Sequence, residues 1–113
     1  MPGYRMDRIN EDIRRELSDI IRNLKDPRIK GLVSILKVEV THDLSYAKVY
    51  VSVVGGDADG AIKGLKSAAG FARHELSSRL IIRKTPELKF VHDDSIEHSA
   101  KIAKLINEIT KDE

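Results

Sequence analysis

The hydrophobic period of the chain changes near residue 33, from the 3.6-residue repeat of a helix to the two-residue repeat of a strand. Across 7–25, apolar residues recur at three- and four-residue steps, which predicts an amphipathic helix that Pro27 stops. Across 33–54, apolar and polar residues alternate on both sides of the turn-compatible stretch 42–46, which predicts an antiparallel hairpin with one buried and one wet face. A chain with both periods has to bury its helices against a sheet.

Two more helices are predicted between about residues 61 and 81, where the apolar positions return to helical spacing. Gly70 interrupts them. Because a glycine inside a helix costs about 1 kcal/mol relative to alanine, we expect two helices that meet at Ala68-Ala69-Gly70. Gly70 is interpreted as architectural: it either supplies backbone freedom for a kink or lets Phe71 pack closely.

A third strand is predicted at Leu88–Val91. Asp93–Ser95 supply a turn and an N-cap for a last helix that runs to about Ile109, and the apolar stripe of that helix favours packing on the sheet. The predicted fold is a single α+β domain over residues 1–113, with an ordered core at about 4–109 and short flexible termini. Its order is α-β-β-α-α-β plus a C-terminal helix, with a three-stranded sheet covered by helices on one face.

The composition argues against several classes of function. The chain has 113 residues, enough for one domain, and no cysteine, so it has no disulfide framework and no thiol nucleophile. It contains neither a Gly-x-Ser-x-Gly elbow nor a P-loop, and its four histidines show no established zinc spacing. The sequence starts with a polar, charged segment, and no apolar run reaches the roughly 20 residues that span a bilayer. We therefore expect a cytoplasmic protein that is not an enzyme and that binds no metal, cofactor or membrane.

The excess of basic over acidic residues lies in one segment of the chain, although the net charge of the whole chain is only +2. Residues 63–90 contain seven lysines and arginines against Glu75 and Glu87, which gives this segment a net charge of +5. Such an asymmetry indicates a polyanionic partner, most often a nucleic acid. The alternative is a solvated helix face whose cations pair with the two glutamates. The candidate RNA-binding residues are Lys66, Arg73, Arg79, Arg83, Lys84 and Lys89.

Two smaller sets of cations are weaker candidates for RNA contact. They are Arg5, Arg8 and Arg15, followed by Lys37 and Lys48. The three arginines lie in the first predicted helix, where ion pairs with neighbouring acids explain them at least equally well. The two lysines lie on the wet face of the predicted hairpin, together with Tyr50.

Five segments, in order and at fixed spacing, carry a family resemblance. They are Lys25–Arg28 at the end of the first helix, His42–Ser52 in the hairpin, Ala68–Arg73 between the middle helices, Leu80–Phe90 leading into the last strand, and Asp93–Glu97 after it. Together they resemble the ribosome-binding factor A family, and the resemblance runs from about Tyr4 to Ile109. The order α-β-β-α-α-β is that of the type II KH domain, so the resemblance implies a KH-like fold.

The resemblance also implies a function. Members of this family are non-enzymatic assembly factors that bind the free 30S ribosomal subunit late in its maturation. They assist the processing of 16S ribosomal RNA near its 5′ region and the decoding region, matter for cold adaptation, and work beside other assembly factors. Since the sequence has no heptad seam for a dimer, we expect a monomer.

The junction between the middle helices departs from ordinary KH domains, which clamp the nucleic-acid backbone with a Gly-x-x-Gly loop. This sequence has no Gly-x-x-Gly, and at the junction Ala68 and Gly70 resemble the Ala-x-Gly kink of the family. We therefore expect recognition by shape and charge instead of base-by-base reading of a short single strand. Two alternatives stay open, a protein–protein adaptor that no longer touches RNA and a general KH-type binder of other RNAs.

Overall fold

The α+β order predicted from the sequence is present in the computed structural model, which describes residues 2–29, 32–95 and 103–107. The elements, in chain order, are α1 (Pro2–Arg22), β1 (Leu32–Val40), β2 (Tyr46–Val54), α2 (Ala58–Ser67), α3 (Ala69–Arg79) and β3 (Glu87–His92). The sheet has three strands, as predicted, and the helices pack on one of its faces. Within these residues, no helix is long and apolar enough to cross a membrane.

Strand β2 lies at the centre of the sheet. It pairs antiparallel with β1, where Val49 is opposite Val38, and parallel with β3, where Val49 is opposite Phe90. The hairpin predicted from the alternating pattern is therefore confirmed. A parallel pair needs a crossover connection, and α2 and α3 supply it. An irregularity between Ile35 and Lys37 shifts the register of the outer strand β1.

The hydrophobic core lies between the sheet and the helices. Alternate residues of β2 are buried, and they belong to one cluster with Leu17 of α1, Leu65 of α2 and Leu76 of α3, all fully buried. Burying one such side chain contributes about 1.5–3 kcal/mol relative to leaving it exposed. The opposite face of the sheet carries exposed polar residues, among them Lys48 and Lys89.

The first helix differs from its predicted range of about 7–25, because α1 begins at Pro2 and ends at Arg22, before Pro27 can stop it. The backbone N–H groups of Asn23 and Leu24 donate to carbonyls only three residues back, at 3.2 and 3.1 Å. The Asn23 side chain donates to the Asp19 carbonyl at 2.9 Å. This asparagine amide competes with the backbone for the acceptor that a further helical turn would use, so the helix closes before the proline.

The break between α2 and α3 falls on one residue, Ala68. Its N–H donates to the carbonyls of Gly64 and Leu65 at 3.0 and 3.1 Å, and its carbonyl accepts the N–H of Ala72 at 2.9 Å. Ala68 keeps a right-handed conformation, with φ −87° and ψ −1°. The two helices therefore meet without an intervening loop, inside the predicted junction.

Gly70 has neither of the two roles expected of it. Among the described glycines only Gly55 has a positive φ, 77°, so Gly70 needs no special backbone freedom. A Cβ added at Gly70 would meet no atom within 4 Å, and Phe71 is 55% exposed instead of closely packed. Gly70 is an ordinary residue in the first turn of α3.

The C-terminal region differs in part from the prediction. Asp93 accepts the N–H of Ser95 at 2.9 Å, as expected of a helix-capping turn, and residues 103–107 are helical. However, Leu105 and Ile106 are 54% and 56% exposed, so the predicted packing of the apolar stripe on the sheet is wrong for these two. The rest of the predicted stripe, Ile96, Ile102 and Ile109, lies outside the described residues.

Gly70→Ala should stabilise the fold by up to about 1 kcal/mol, because the new methyl group enters open space and alanine loses less backbone entropy in a helix. Gly64→Ala is the matched control, since its Cβ would lie 2.9 Å from Ile29 Cγ1 and the gain should vanish or reverse. Unfolding in denaturant measures both free energies. If Gly70→Ala were less stable than Gly64→Ala, the conclusion that Gly70 is an ordinary helical residue would be wrong.

Candidate nucleic-acid interface

The turn 41–45 between β1 and β2 is organised by one carboxylate. Asp43 Oδ1 accepts the Thr41 hydroxyl at 2.8 Å and the N–H of Ser45 at 3.0 Å. These hydrogen bonds hold the pKa of Asp43 at about 2, below its ordinary 3.8. Leu44, at a positive φ of 63°, donates its N–H to the Thr41 carbonyl at 2.8 Å. The turn is therefore held in one shape by its own polar groups.

Three separate parts of the chain meet at this turn. The Asn10 side chain of α1 accepts the N–H of Val40 at 2.9 Å, which fixes α1 against the end of β1. The N–H of Glu87 donates to the Ser45 carbonyl at 2.9 Å, which joins the start of β3 to the turn. As a result α1, the turn and the segment 80–86, which connects α3 to β3, lie side by side.

A groove of about 890 Å³ lies where these three parts meet. Arg5, Arg8 and Arg83 line it, and the Asp12 carboxylate, 4.0 Å from Arg8 Nε, is the acid in its wall. We call it the arginine groove; its other lining residues are Met6, Ile9, His42, Leu44, Ile81 and Ile82. The sequence placed Arg5 and Arg8 in a separate, weaker set from Arg83, and the structure brings the three together.

Two further predicted cations lie next to the segment 80–86. Arg73, exposed on α3, donates its Nε–H to the Thr85 carbonyl at 3.1 Å. Lys84 Nζ lies 3.3 Å from Ser45 Oγ in the turn. Both side chains thus hold the segment in place while they add positive charge beside the arginine groove.

Ile81 is the residue of this region that the sequence misjudged. The helical pattern was expected to run to about Ile81, but α3 ends at Arg79 and Leu80 adopts an extended conformation. The Ile81 side chain is fully exposed in the groove wall. The signal was present in the run Leu80-Ile81-Ile82, since three consecutive apolar residues cannot all face one core.

Arg79 lies in a different environment from the other predicted arginines. Its Nη1 is 2.7 Å from Asp19 Oδ2 and 3.6 Å from Glu16 Oε2, both on α1, and its Nε is 4.0 Å from Glu75 Oε2. The Arg79 guanidinium lowers the pKa of Asp19 by hydrogen bonding to it. This ion-pair cluster joins α3 to α1, so the alternative of cations paired with acids, which the sequence left open, applies to Arg79.

Three predicted lysines lie together on the open face of the sheet, away from the helices. Lys37 Nζ is 2.6 Å from Glu39 Oε1, and Lys89 Nζ is 3.1 Å from Glu87 Oε1. Lys48 is opposite Lys89 across the pair of strands β2 and β3. The structure therefore places three of the predicted cations in the arginine groove and three others on this open face.

The last two predicted cations belong to neither surface. Arg15 Nη2 pairs with Asp12 Oδ1 at 3.1 Å on α1, which is the intrahelical alternative considered for it. Lys66 is exposed in the last turn of α2. In the described ranges 2–29, 32–95 and 103–107, no three acidic or histidine side chains are grouped so that they could hold a metal ion.

The chain is similar to known proteins over most of its length. The family model of ribosome-binding factor A matches residues 5–106. Ribosome-binding factor A of Acetivibrio thermocellus is 58% identical over 107 residues, which cover 92% of this chain and 87% of that protein. The crystal structure of ribosome-binding factor A from Thermus thermophilus matches with a TM-score of 0.72 and 28% identity, covering 77% of this chain and 93% of that one.

A second structural match comes from a complex. A homology model of the T. thermophilus ribosome binding factor A, fitted into the cryo-EM map of a 30S complex of that protein, has a TM-score of 0.65 and 28% identity. The match covers 75% of this chain and 91% of that one. Together these similarities confirm the family resemblance predicted from the five sequence segments.

Asp43 should make a pH-dependent contribution to stability. Because its pKa of about 2 in the folded protein lies below the ordinary value of 3.8, the contribution is complete above about pH 4 and is lost as the pH falls through 2. The difference in unfolding free energy between wild type and Asp43→Ala should therefore stay constant from neutral pH to about pH 4 and shrink below it. Arg28 also holds the pKa of Asp26 at about 2. Asp26 titrates in the same way in wild type and variant, so its contribution cancels from the difference in unfolding free energy. A difference that did not change with pH would contradict the role of the Asp43 carboxylate.

Arg79→Glu should lower the midpoint of thermal unfolding, because it places a fourth carboxylate among Glu16, Asp19 and Glu75. Arg83→Glu is the matched control, since it makes the same charge change beside Arg5 and Arg8 and should leave the midpoint unchanged or raise it. Equal losses in the two variants would show that the ion-pair cluster does not hold α3 on α1.

Proposed function

Because this chain belongs to the ribosome-binding factor A family, we propose that it is a non-enzymatic assembly factor that binds the free 30S ribosomal subunit. It assists the late maturation and processing of 16S ribosomal RNA, near the 5′ region and the decoding region. It acts in the cytoplasm as a monomer, without a cofactor, beside other assembly factors, and it matters most for growth in the cold. The 30S complex of the T. thermophilus relative supports the choice of subunit.

The arginine groove is the observation that carries this proposal. It collects Arg5 and Arg8 from α1 and Arg83 from the segment 80–86 around one cavity of about 890 Å³. A guanidinium group is always charged, holds phosphate through two parallel N–H bonds and stacks on bases, so three of them on one concave surface suit folded RNA. The fully exposed Ile81 beside them offers an apolar contact for a sugar or a base edge.

The junction at Ala68 decides what kind of recognition is available. In a Gly-x-x-Gly loop the backbone itself approaches the phosphates. Here α2 and α3 are joined through one right-handed residue, so long side chains on the surface have to make the contacts instead. Arg73 and Lys84, which flank the groove, extend the cationic surface in this way. Recognition then depends on the shape and charge of the RNA and not on reading a short sequence.

A factor of this type acts by shifting populations. If it binds one conformation of 16S ribosomal RNA more tightly than the alternatives, the RNA moves toward that conformation in proportion to the difference in affinity. No catalytic group is needed for this. Release follows when a later rearrangement, or another factor, removes the preferred conformation.

Purified protein should co-sediment with 30S particles in preference to 50S and 70S particles, and binding should weaken as salt is raised, because phosphate contacts release counterions. Arg8→Glu combined with Arg83→Glu should weaken binding at least about tenfold at low salt and reduce the slope of log K against log salt by about 2. Arg22→Glu combined with Lys25→Glu is the control: it makes the same charge change on exposed residues that begin about 20 Å from Arg8 along α1.

Each other result has a definite meaning. If the two double variants bind equally well, the arginine groove is not the interface. Equal binding to all three particles would indicate a general RNA binder. If wild type does not bind 30S particles even at low salt, the ribosomal function is wrong and the protein–protein adaptor becomes the better explanation.

A further inference from the structure

Two of the three tyrosines of the protein lie on the open face of the sheet. Tyr46 begins β2 and is 48% exposed, and Tyr50, four residues later, is half-buried. Residues four apart in a strand point to the same face and are about 13 Å apart. The buried members of β2, Ala47, Val49 and Val51, face the helices, so the two rings face away from the core.

Lysines surround both aromatic rings. Lys37 Nζ and Lys48 Nζ lie 5.8 and 5.4 Å from the centre of the Tyr50 ring, and Lys89 Nζ lies 5.4 Å from the centre of the Tyr46 ring. The register explains this, since Lys37 is opposite Tyr50, Lys48 lies between the two tyrosines, and Lys89 is opposite Lys48. The central strand thus alternates aromatic, cationic and aromatic side chains on one face of the sheet.

Two carboxylates also belong to this surface. Glu39 pairs with Lys37 at 2.6 Å and accepts the Tyr50 hydroxyl at 3.3 Å, and Glu87 pairs with Lys89 at 3.1 Å. Three ammonium groups against two carboxylates leave the face net positive. The ion pairs hold the outer lysines near the rings.

We infer that this open face is a stacking platform for unpaired bases of ribosomal RNA. Tyr46 and Tyr50 each stack on one base, and Lys37, Lys48 and Lys89 contact the phosphates between and beside them. The inference rests on the proposed function and deepens it, because it adds direct contact with bases to the shape and charge recognition of the arginine groove. Stacking on aromatic side chains is tolerant of sequence, since every base has a π-face.

The chemistry of the face favours this occupant. In a double-stranded A-form helix the base faces are stacked on one another, so only unpaired nucleotides can reach a tyrosine ring. A protein partner would need a buried apolar centre, whereas the exposed residues around the two rings are mainly lysine and glutamate. A stacked base lies about 3.5 Å from the ring, so each lysine, now 5.4 to 5.8 Å from a ring centre, moves aside when a base binds and its ammonium group contacts a phosphate.

The platform is continuous with the arginine groove. Tyr46 directly follows the turn 41–45, whose His42 and Leu44 line the groove. Lys84, from the segment 80–86, contacts the same turn, with its Nζ 3.3 Å from Ser45 Oγ. One RNA strand can therefore pass from the groove across the turn to the first tyrosine.

Tyr46→Ala combined with Tyr50→Ala should weaken binding to 30S particles at least about fivefold at every salt concentration, with the slope of log K against log salt unchanged, because stacking releases no counterions. Tyr46→Phe combined with Tyr50→Phe keeps both rings and should bind within about twofold of wild type. Thermal unfolding of both double variants checks that the sheet is intact. Equal affinity of the alanine and phenylalanine variants would overturn the platform, and so would a reduced slope in the alanine variant, which would mean that the rings only position lysines.

A second measurement separates this inference from the proposed function. The protein has no tryptophan, so in a Tyr4→Phe background its fluorescence comes from Tyr46 and Tyr50 alone. An oligoadenylate of about eight unpaired nucleotides should quench that fluorescence, and a blunt RNA duplex of the same length should not. Failure of wild type to bind 30S particles would reject the proposed function and ribosomal RNA as the occupant, whereas quenching by the oligoadenylate would still support a face that stacks on unpaired bases. Absence of quenching by the oligoadenylate would reject the platform, whatever the result with 30S particles.

Discussion

The pairing of β2 with a strand on each side is the constraint on which the rest of the structure depends. Val49 is opposite Val38 in the antiparallel pair and opposite Phe90 in the parallel pair, and this register directs Val49 and its alternate neighbours to the helices. A shift of one residue would exchange the two faces of the strand, burying Lys48 and exposing the core valines. The high cost of that exchange fixes the sheet and, with it, the side chains of both faces.

The two candidate RNA-binding surfaces follow from this register. The start of β3 joins the turn 41–45 through the N–H of Glu87, and α1 joins the end of β1 through Asn10. These two hydrogen bonds place Arg83 beside Arg8, although they are far apart in the chain. The same strand pairs place the cations of the open face beside the tyrosines. Arg79, in contrast, does not join either surface, because its ion pairs with carboxylates of α1 hold α3 against α1.

The elements that the sequence predicted well are those with a strong local period. The amphipathic stripe of α1 and the alternating hairpin depend on neighbouring residues, and both are present. The break between the middle helices lies within the predicted junction, but on Ala68 and not on the glycine from which it was predicted. The predictions that were wrong concern positions where a side-chain hydrogen bond ends a helix, or where a residue assigned to a packed position is exposed. Asn23 closes α1 before Pro27, Ile81 is exposed beyond the end of α3, and Gly70 occupies an ordinary helical position.

For the site, the sequence by itself determined which kinds of residue are available: an excess of arginine and lysine in residues 63–90, no cysteine, and no Gly-x-x-Gly loop. It also determined the order of helices and strands, because hydrophobic period is a property of consecutive residues. Only the tertiary structure decided which cations share a surface. It places Arg5, Arg8 and Arg83 around one groove, pairs Arg79 with carboxylates of α1, and places Lys89 beside the lysines of the hairpin. The physical reason is that these neighbours are created by strand pairing and helix packing between distant segments, whose geometry the core decides as a whole and which no local pattern records.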